Sequence, residues 1–221
     1  MSSAHALPPP DWSHERRLRA RGYACVAGLD EVGRGSLAGP VVVAAVVLRG
    51  GRRLAGVHDS KLLTATTRER LVGDILACAE SWGIGSVEAE EIDRINIANA
   101  TRKAMMRALA ALRVHPDHLL IDAVALPEAG VPQTVLIGGD RLSKSIASAS
   151  ILAKVVRDEI MTNYDRLFPQ YGFARHKGYG TAGHLRVLQD LGACAQHRKT
   201  FGGVRPQRRL DLSDDRRSPW L

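Results

Sequence analysis

The chain has 221 residues, with 31 Lys and Arg against 23 Asp and Glu, which gives a net charge of +8 at pH 7. Such a balance is typical of proteins with a polyanionic partner, nucleic acid first and an anionic membrane surface second, although a merely soluble basic protein shares it. An apolar fraction of 45% is enough for one buried core. The three cysteines are odd in number and form no CxxC pair, which argues against a disulfide framework and against a zinc site.

The sequence shows no targeting or membrane segment. The first residues, MSSAHALPPPDW, lack the apolar stretch of a secretory signal. The longest apolar run, Val41–Leu48, is too short to span a bilayer. Together with the unpaired cysteines, these features predict a cytoplasmic protein without a membrane partner, and we expect it to be a monomer.

Taken in chain order, the sequence predicts a flexible basic N-terminal arm over residues 1–22, one domain over 23–204 and a charged tail over 205–221. Within the domain, strands and helices alternate after a first run of strands, which is typical of an α/β fold with a mixed sheet flanked by helices. The strands are predicted at 23–30, 40–48, 81–88, 118–122 and 133–140. The helices are predicted at 67–80, 90–112, 145–167 and 180–192.

Three of the predicted strands end in carboxylates, at Asp30 followed by Glu31, at Asp122 and at Asp140. Ends of strands lie at the lip of a sheet, where α/β folds bind their ligands, so these acids converge if the strands are neighbours. Four close carboxylates raise one another's pKa, and a hard cation such as Mg²⁺ or Mn²⁺ relieves that conflict. The alternative for each single acid is a turn former or a helix cap, and spacing alone does not decide between them.

A glycine-rich loop follows the first acidic pair directly, in the stretch GLDEVGRGSLAGP. Its glycines loosely resemble a dinucleotide-binding fingerprint, which requires a helix immediately after them. Pro40 and a β-branched strand follow instead, so that interpretation fails. What the loop offers is backbone that a ligand can approach closely, because Gly33 and Gly35 have no side chain in the way.

Six blocks stand out along the chain: GLDEVGRGSLAGPVVVAAVVL, VHDSKLLT, EIDRINIANATRKAM, HLLIDA, GGDRLSKSIASASILAKVVRD and FPQYGFARHKGYGT. In this order, they resemble the blocks of the ribonuclease HII family. The resemblance covers about residues 23–204 and implies a ribonuclease H-like fold with a helical C-terminal part.

The resemblance implies an endoribonuclease of ribonucleotide excision repair. Such an enzyme cleaves the RNA strand of RNA–DNA hybrids and nicks duplex DNA on the 5′ side of an embedded ribonucleotide. We expect hydrolysis with two Mg²⁺ or Mn²⁺ ions as cofactors, giving 3′-hydroxyl and 5′-phosphate ends. The expected partners are therefore RNA–DNA hybrid and ribonucleotide-containing duplex DNA.

By position, Asp30, Glu31, Asp122 and Asp140 match the four metal-binding acids of the family. The resemblance also assigns substrate contacts. Gly33, Arg34 and Gly35 match a loop that contacts the ribonucleotide around its 2′-hydroxyl, and Tyr179 matches a tyrosine that stacks on the following deoxyribose. Four further cations lie in matched blocks and are candidates for phosphate contacts, with a solvated surface charge as the alternative for each: Lys61, Lys154, His176 and Lys177.

Two alternatives remain at this point. A non-catalytic hybrid-binding protein would explain the positive charge, but the four acids argue against it, because carboxylates in a phosphate groove weaken binding when no metal is present. A ribonuclease HIII would carry related acids. That family has an extra N-terminal domain, which the 22-residue arm is too short to supply, and the Gly-Arg-Gly loop fits ribonuclease HII.

Overall fold

A single mixed sheet of five strands organises the part of the chain that the computed structural model describes, residues 9–50, 54–58, 60 and 63–204. The strands are β1 (Val26–Val32), β2 (Val41–Leu48), β3 (Ala79–Val87), β4 (His118–Asp122) and β5 (Gln133–Leu136). The helices are α1 (Ser13–Ala20), α2 (Ala65–Cys78), α3 (Ala89–Ile95), α4 (Ile97–Ala110), α5 (Lys144–Leu167), α6 (Phe173–His176) and α7 (Ala182–Leu191). Short 3₁₀ turns lie at Pro127–Ala129, Gly139–Arg141 and Pro169–Tyr171.

The strand order is β3-β2-β1-β4-β5, and the first three strands form an antiparallel meander. β4 and β5 then run parallel to β1, so the carboxyl ends of β1, β4 and β5 meet at one edge of the sheet. This topology confirms the predicted α/β class with a mixed sheet and helices on its faces. It also answers the question that spacing left open, because β1, β4 and β5, which carry or precede the four acids, are neighbours.

The central strand β2 is buried along its whole length, as its unbroken apolar sequence predicts. One face of the strand packs with residues of α4, and the other face packs with residues of α2 and α5. The close approach of α5 to β1 depends on Gly28, since a Cβ there would lie 2.2 Å from the backbone carbon of Ser145. A core on each side of the sheet therefore fixes the positions of β1 and β4.

Two predicted elements differ from the structure. The helix predicted over 90–112 is two helices, because Asn96 adopts a left-handed φ of 66° and its side chain accepts the N–H of Asn99 at 3.0 Å to begin α4. The strand predicted over 133–140 ends at Leu136. Gly138, with a φ of 67°, turns the chain into the 3₁₀ turn that carries Asp140.

The prediction of a flexible arm over 1–22 is wrong for α1. The carboxylate of Glu15 is buried, and its Oε1 accepts hydrogen bonds from the Ser143 hydroxyl at 2.6 Å and from the Ser145 N–H at 2.9 Å. Leu18 packs in a small apolar cluster beside β1 and β4. Helix α1 is therefore part of the packed domain, whereas residues 1–8 and the predicted tail at 205–221 lie outside the described residues.

None of the helices in the described ranges combines the length and apolar character that crossing a membrane requires.

Candidate active site

Four carboxylates lie at the carboxyl edge of the sheet. β1 and β4 pair in parallel register, with Leu29 opposite Ile121, so the next residues, Asp30 and Asp122, lie side by side. Glu31 follows Asp30 on β1. Asp140 comes to the same edge from the 3₁₀ turn after β5, close enough to act electrostatically on Asp30.

Negative charge is concentrated and only partly compensated at this edge of the sheet. Burial raises the pKa of Asp30 well above its ordinary value, and the Glu31 carboxylate raises it further against an opposing hydrogen bond from Ser150. The more distant Asp122 and Asp140 add to the same rise. Burial also raises the pKa of Glu31, although Arg34 opposes that rise from 3.5 Å away. Protonation or a cation would relieve this repulsion.

The donor set fits a hard divalent cation. The Oε2 atom of Glu31 is buried and has no hydrogen-bond partner in the described part of the chain. Asp122 is oriented through one oxygen, Oδ1, which accepts the N–H of Gly139 at 2.8 Å. Among the described residues, no three His, Cys, Asp or Glu side chains form a ready-made metal cage. Glu31, Asp122 and Asp140 nevertheless lie close enough to Asp30 to raise its pKa by repulsion.

Gly33 and Gly35, in the loop after β1, serve different purposes. Gly33 is buried with a φ of 88°, and a Cβ there would lie 2.0 Å from Nε of Arg157. Gly35 is exposed, and a Cβ there would meet nothing within 4 Å. The expectation that both glycines open the backbone to a ligand therefore holds for Gly35, whereas the missing side chain of Gly33 makes room for an arginine from inside the protein.

Two fully buried arginines that were not predicted from the sequence lie beneath this loop, Arg157 on α5 and Arg198 after α7. Their hydrogen bonds go to backbone carbonyl groups of the loop and its surroundings. Burial, followed by the charge of Arg157, lowers the pKa of Arg198 to about 9, so Arg198 remains a cation at neutral pH. Arg157 binds the carbonyls of Ala38, Pro40 and Lys177, and Arg198 binds those of Gly33, Arg34 and Gly39.

One sequence signal could have revealed the first of these arginines. Arg157 is four residues after Ala153 and four before Met161, on the stripe of α5 that faces the core. A cation on an apolar stripe must have internal partners. Arg198 has no such signal, because it lies in an irregular segment whose partners are more than 150 residues earlier in the chain.

Tyr179 lies next to the glycine loop, with 39% of its surface exposed. Its segment docks on the loop through Gly178, whose carbonyl accepts the N–H groups of Leu37 at 2.8 Å and Ala38 at 3.3 Å. The guanidinium of Arg157 lies 5.7 Å from the centre of the tyrosine ring. The structure therefore brings Tyr179 and the loop together, as the assigned substrate contacts require.

His176 is held inside the fold. Its Nε2 bonds the carbonyl of Tyr171 at 2.8 Å, its Nδ1 accepts the N–H of Gly178 at 3.2 Å, and its ring stacks on His184. Both ring nitrogens are thus used within the protein. This geometry favours an ordinary loop histidine over the phosphate contact that the sequence analysis assigned to His176.

The predicted phosphate-binding lysines that the structure describes surround Asp158. Nζ of Lys154 lies 2.7 Å from Oδ1 of Asp158, and Nζ of Lys177 donates to the Asp158 carbonyl at 3.2 Å and to the hydroxyl of Thr162 at 2.8 Å. Burial lowers the pKa of Lys177. Lys61 lies outside the described residues.

Comparison with known proteins decides which family these features belong to. The family model for ribonuclease HII matches residues 27–204, which include all four acids, the glycine loop and Tyr179. The chain belongs to the ribonuclease HII family. It is 52% identical over 191 residues to the ribonuclease HII of Geotalea uraniireducens, a match that covers 86% of this chain and 88% of that protein. It is 53% identical over 194 residues to that of Geobacter metallireducens, covering 88% and 91%.

Solved structures of ribonuclease HII proteins share the fold. The ribonuclease H2 of Pyrococcus horikoshii superposes with a TM-score of 0.73 at 25% identity, covering 82% of this chain and 96% of that one. The ribonuclease HII of Archaeoglobus fulgidus, solved in a complex with PCNA, gives a TM-score of 0.70 at 27% identity over 84% and 98%. As a ribonuclease HII, the chain is a nuclease that hydrolyses RNA in RNA–DNA hybrids.

Proposed function

We propose that this enzyme also nicks duplex DNA on the 5′ side of an embedded ribonucleotide, by two-metal hydrolysis that leaves 3′-hydroxyl and 5′-phosphate ends. The observation that carries the proposal is the placement of four carboxylates, an exposed glycine loop and Tyr179 around one edge of the sheet. The acids serve the phosphodiester, whereas the loop and the tyrosine serve the sugars on either side of it.

We assign the metal-binding role to Asp30, Glu31, Asp122 and Asp140. When bound there, Mg²⁺ or Mn²⁺ ions would supply Lewis acidity and lower the pKa of water. The protein's part is to hold buried oxygen ligands close together; the raised pKa values of Asp30 and Glu31 reflect burial first, with repulsion from neighbouring carboxylates adding to it. The unpartnered Oε2 of Glu31 supports this assignment, because a buried polar atom normally has a partner.

Recognition of the ribonucleotide falls to the loop and to Tyr179. The 2′-hydroxyl both donates and accepts hydrogen bonds, and it distinguishes RNA from DNA. Exposed backbone at Arg34 and Gly35 can reach it at close range, while Gly33 keeps the turn in its left-handed conformation. The planar ring of Tyr179 suits a deoxyribose, and a 2′-hydroxyl at that sugar would crowd it. Together they would recognise a ribo-to-deoxyribo junction rather than a base sequence.

Positive charge supports binding of the duplex backbone. Arg34 pairs with Glu31, Lys154 pairs with Asp158 and Lys177 binds the Thr162 hydroxyl; each could neutralise a phosphate after exchanging that internal partner. We keep Lys61 as a candidate for the same role. All three cysteines are free, which supports a reducing compartment, the cytoplasm.

One assay tests the proposal. The protein is incubated with a duplex that contains one ribonucleotide, with a long RNA–DNA hybrid and with an all-deoxy duplex, each with and without Mg²⁺ or Mn²⁺. We expect metal-dependent cleavage of the first two and none of the third, and Asp30→Asn should abolish both activities. Cleavage of the hybrid alone would contradict the proposed nicking activity, as would ends that carry a 3′-phosphate.

A further inference from the structure

Arg198 is a fully buried cation whose guanidinium is bound by main-chain carbonyls. Nη2 donates to the carbonyl of Gly33 at 2.7 Å and Nη1 to that of Arg34 at 2.9 Å. Nε and Nη2 both reach the carbonyl of Gly39, at 3.0 and 2.9 Å. Arg198 forms no ion pair among the described residues. Burying a cation costs free energy, so its three carbonyl partners must be fixed in place for the charge to be tolerated.

The orientation of those carbonyls dictates where the next amides point. In a trans peptide, the C=O of one residue and the N–H of the following residue point in opposite directions. The inward carbonyls of Gly33 and Arg34 therefore turn the N–H groups of Arg34 and Gly35 outward. Pro40, which follows the third carbonyl, has no N–H.

The outward amides are available to a ligand. Arg34 and Gly35 are exposed and form the centre of a turn closed by the Ser36 N–H on the Gly33 carbonyl at 3.3 Å. Within the described ranges, neither amide donates to another group of the protein. Two successive free N–H groups form a concave site for one acceptor oxygen. The guanidinium on their carbonyls polarises the same two peptides and strengthens them as donors.

Arg157 provides an internal comparison. It also binds carbonyls, including those of Ala38 and Lys177, but the amides that follow are used inside the protein. The N–H of Gly39 bonds the Gln196 carbonyl, and the N–H of Gly178 bonds His176. The hydrogen bonds of Arg157 therefore serve the packing of the protein. Two hydrogen bonds of Arg198, those to the carbonyls of Gly33 and Arg34, orient the following N–H groups towards solvent.

We propose that Arg198 is a positioning residue for substrate selection: it aims the Arg34 and Gly35 amides at the 2′-oxygen of the ribonucleotide beside the cleaved bond. This inference rests on the proposed function, because the oxygen it invokes belongs to the embedded ribonucleotide. Phe201 supports the arrangement, with its ring centre 5.0 Å from the guanidinium carbon, and the Arg198 N–H anchors the segment on the Leu37 carbonyl at 2.9 Å.

The test compares Arg198→Lys with the wild type. Lysine keeps the charge but lacks the planar fork that binds two carbonyls at once. The readouts are kcat/KM on a duplex with one ribonucleotide and the Kd for the same duplex in all-deoxy form. We expect kcat/KM to fall about 30-fold, because the hydrogen bonds to the carbonyls of Gly33 and Arg34 would both be weakened. The Kd for the all-deoxy duplex should change less than about twofold.

Two further variants separate positioning from stability. Leu71→Ala removes core contacts on α2, away from the loop, and serves as a control of lowered Tm with kcat/KM within about twofold of wild type. Phe201→Leu removes the ring beside the guanidinium and should reduce kcat/KM by about threefold with a smaller loss of Tm. It keeps the inference testable if Arg198→Lys does not fold.

A spectroscopic readout addresses the amides directly. In the presence of EDTA, the N–H cross-peaks of Arg34 and Gly35 should shift when the single-ribonucleotide duplex is added to wild type, and shift less in Phe201→Leu. Equal loss of cleavage and of all-deoxy binding in Arg198→Lys would overturn the inference, as would unchanged kcat/KM. If the wild type itself fails to cut the single-ribonucleotide duplex, the proposed nicking function fails instead.

Discussion

A chain of histidines beneath Tyr179 makes the stability of this enzyme sensitive to acid. His184 donates from Nδ1 to the Tyr179 carbonyl at 2.9 Å, so its Nε2 is the acceptor of a hydrogen bond from Nε2 of His197 at 3.0 Å. Nδ1 of His197 then accepts the N–H of Cys194 at 3.0 Å. Both rings are neutral in this arrangement, since a proton on the His184 acceptor would set two donors against each other.

The magnitude follows from the pKa of His197. Burial, with the neighbouring His184 adding, lowers that pKa from 6.5 to about 4. Below about pH 6.5, His197 is therefore protonated in the unfolded chain but stays neutral in the folded protein. As a result, the free energy of unfolding decreases as the pH falls from 6.5 towards 4. At 1.36 kcal/mol per pH unit the full loss is about 3 kcal/mol, of which about 2.5 kcal/mol is lost by pH 4.5.

Guanidinium chloride unfolding of wild type and His197→Gln measures this loss. The raised pKa values of Asp30 and Glu31 act in the opposite direction, because acid stabilises the folded state through groups that it protonates first. Those contributions are common to both proteins and cancel in the difference. We expect the stability difference, wild type minus variant, to shrink by about 2.5 kcal/mol between pH 7.5 and 4.5. A difference that stays constant over this range would refute the neutral relay.

Three further predictions concern the edge of the sheet and the core. Asp30→Asn should reduce cleavage at least about 1,000-fold and raise Tm in the absence of metal, because it removes one of several repelling carboxylates. Gly28→Ala should lower the free energy of unfolding by about 3 kcal/mol, because the new Cβ would collide with the backbone of Ser145. Gly73→Ala, at an open position inside α2, should raise the free energy of unfolding by about 0.5–1 kcal/mol. Tyr179→Ala should reduce kcat/KM on the single-ribonucleotide duplex about 10-fold or more, and Tyr179→Phe should retain most of it.

Each of these has a result that would contradict it. Cleavage by Asp30→Asn at the wild-type rate would remove that residue from the metal site, and a lower Tm without metal would contradict the repulsion. Equal stability changes for the two glycine variants would show that α5 can move away from β1. A Tyr179→Ala enzyme that cuts a single-ribonucleotide duplex as fast as the wild type would leave the loop alone in recognising the junction.

The sheet and the acids could be predicted from sequence because both depend on local patterns. Unbroken apolar strands, and carboxylates where those strands end, are visible within ten residues. The break at Asn96 was missed because the apolar spacing continues across it, and only the left-handed backbone separates α3 from α4. The packing of α1 was missed because Glu15 has the sequence character of a surface charge, and its buried partners, Ser143 and Ser145, are about 130 residues away.

The residues that hold the glycine loop in place were harder to predict from sequence than the candidate site residues themselves. The candidate substrate contacts at Gly33, Gly35 and Tyr179 came from a family resemblance, which identifies residues but not what holds them. Arg198 binds its loop partners across 164 and 165 residues of sequence. No periodicity or capping rule connects positions so far apart, so such a contact becomes visible only in three dimensions.

That separation has a consequence for a chain emerging from the ribosome. Strands β1 and β4, which carry three of the acids, and their neighbour β5 are complete by Leu136, and Asp140 follows four residues later. Arg198 is synthesised almost sixty residues after Asp140, so the edge that carries the four acids can assemble before the loop proposed to select the ribonucleotide is fixed. A protein cut short after α7 would therefore keep the residues for phosphodiester chemistry and lose the anchor that orients the loop amides. On the proposed role of Arg198, selection of the ribonucleotide is the last property that the folding chain acquires.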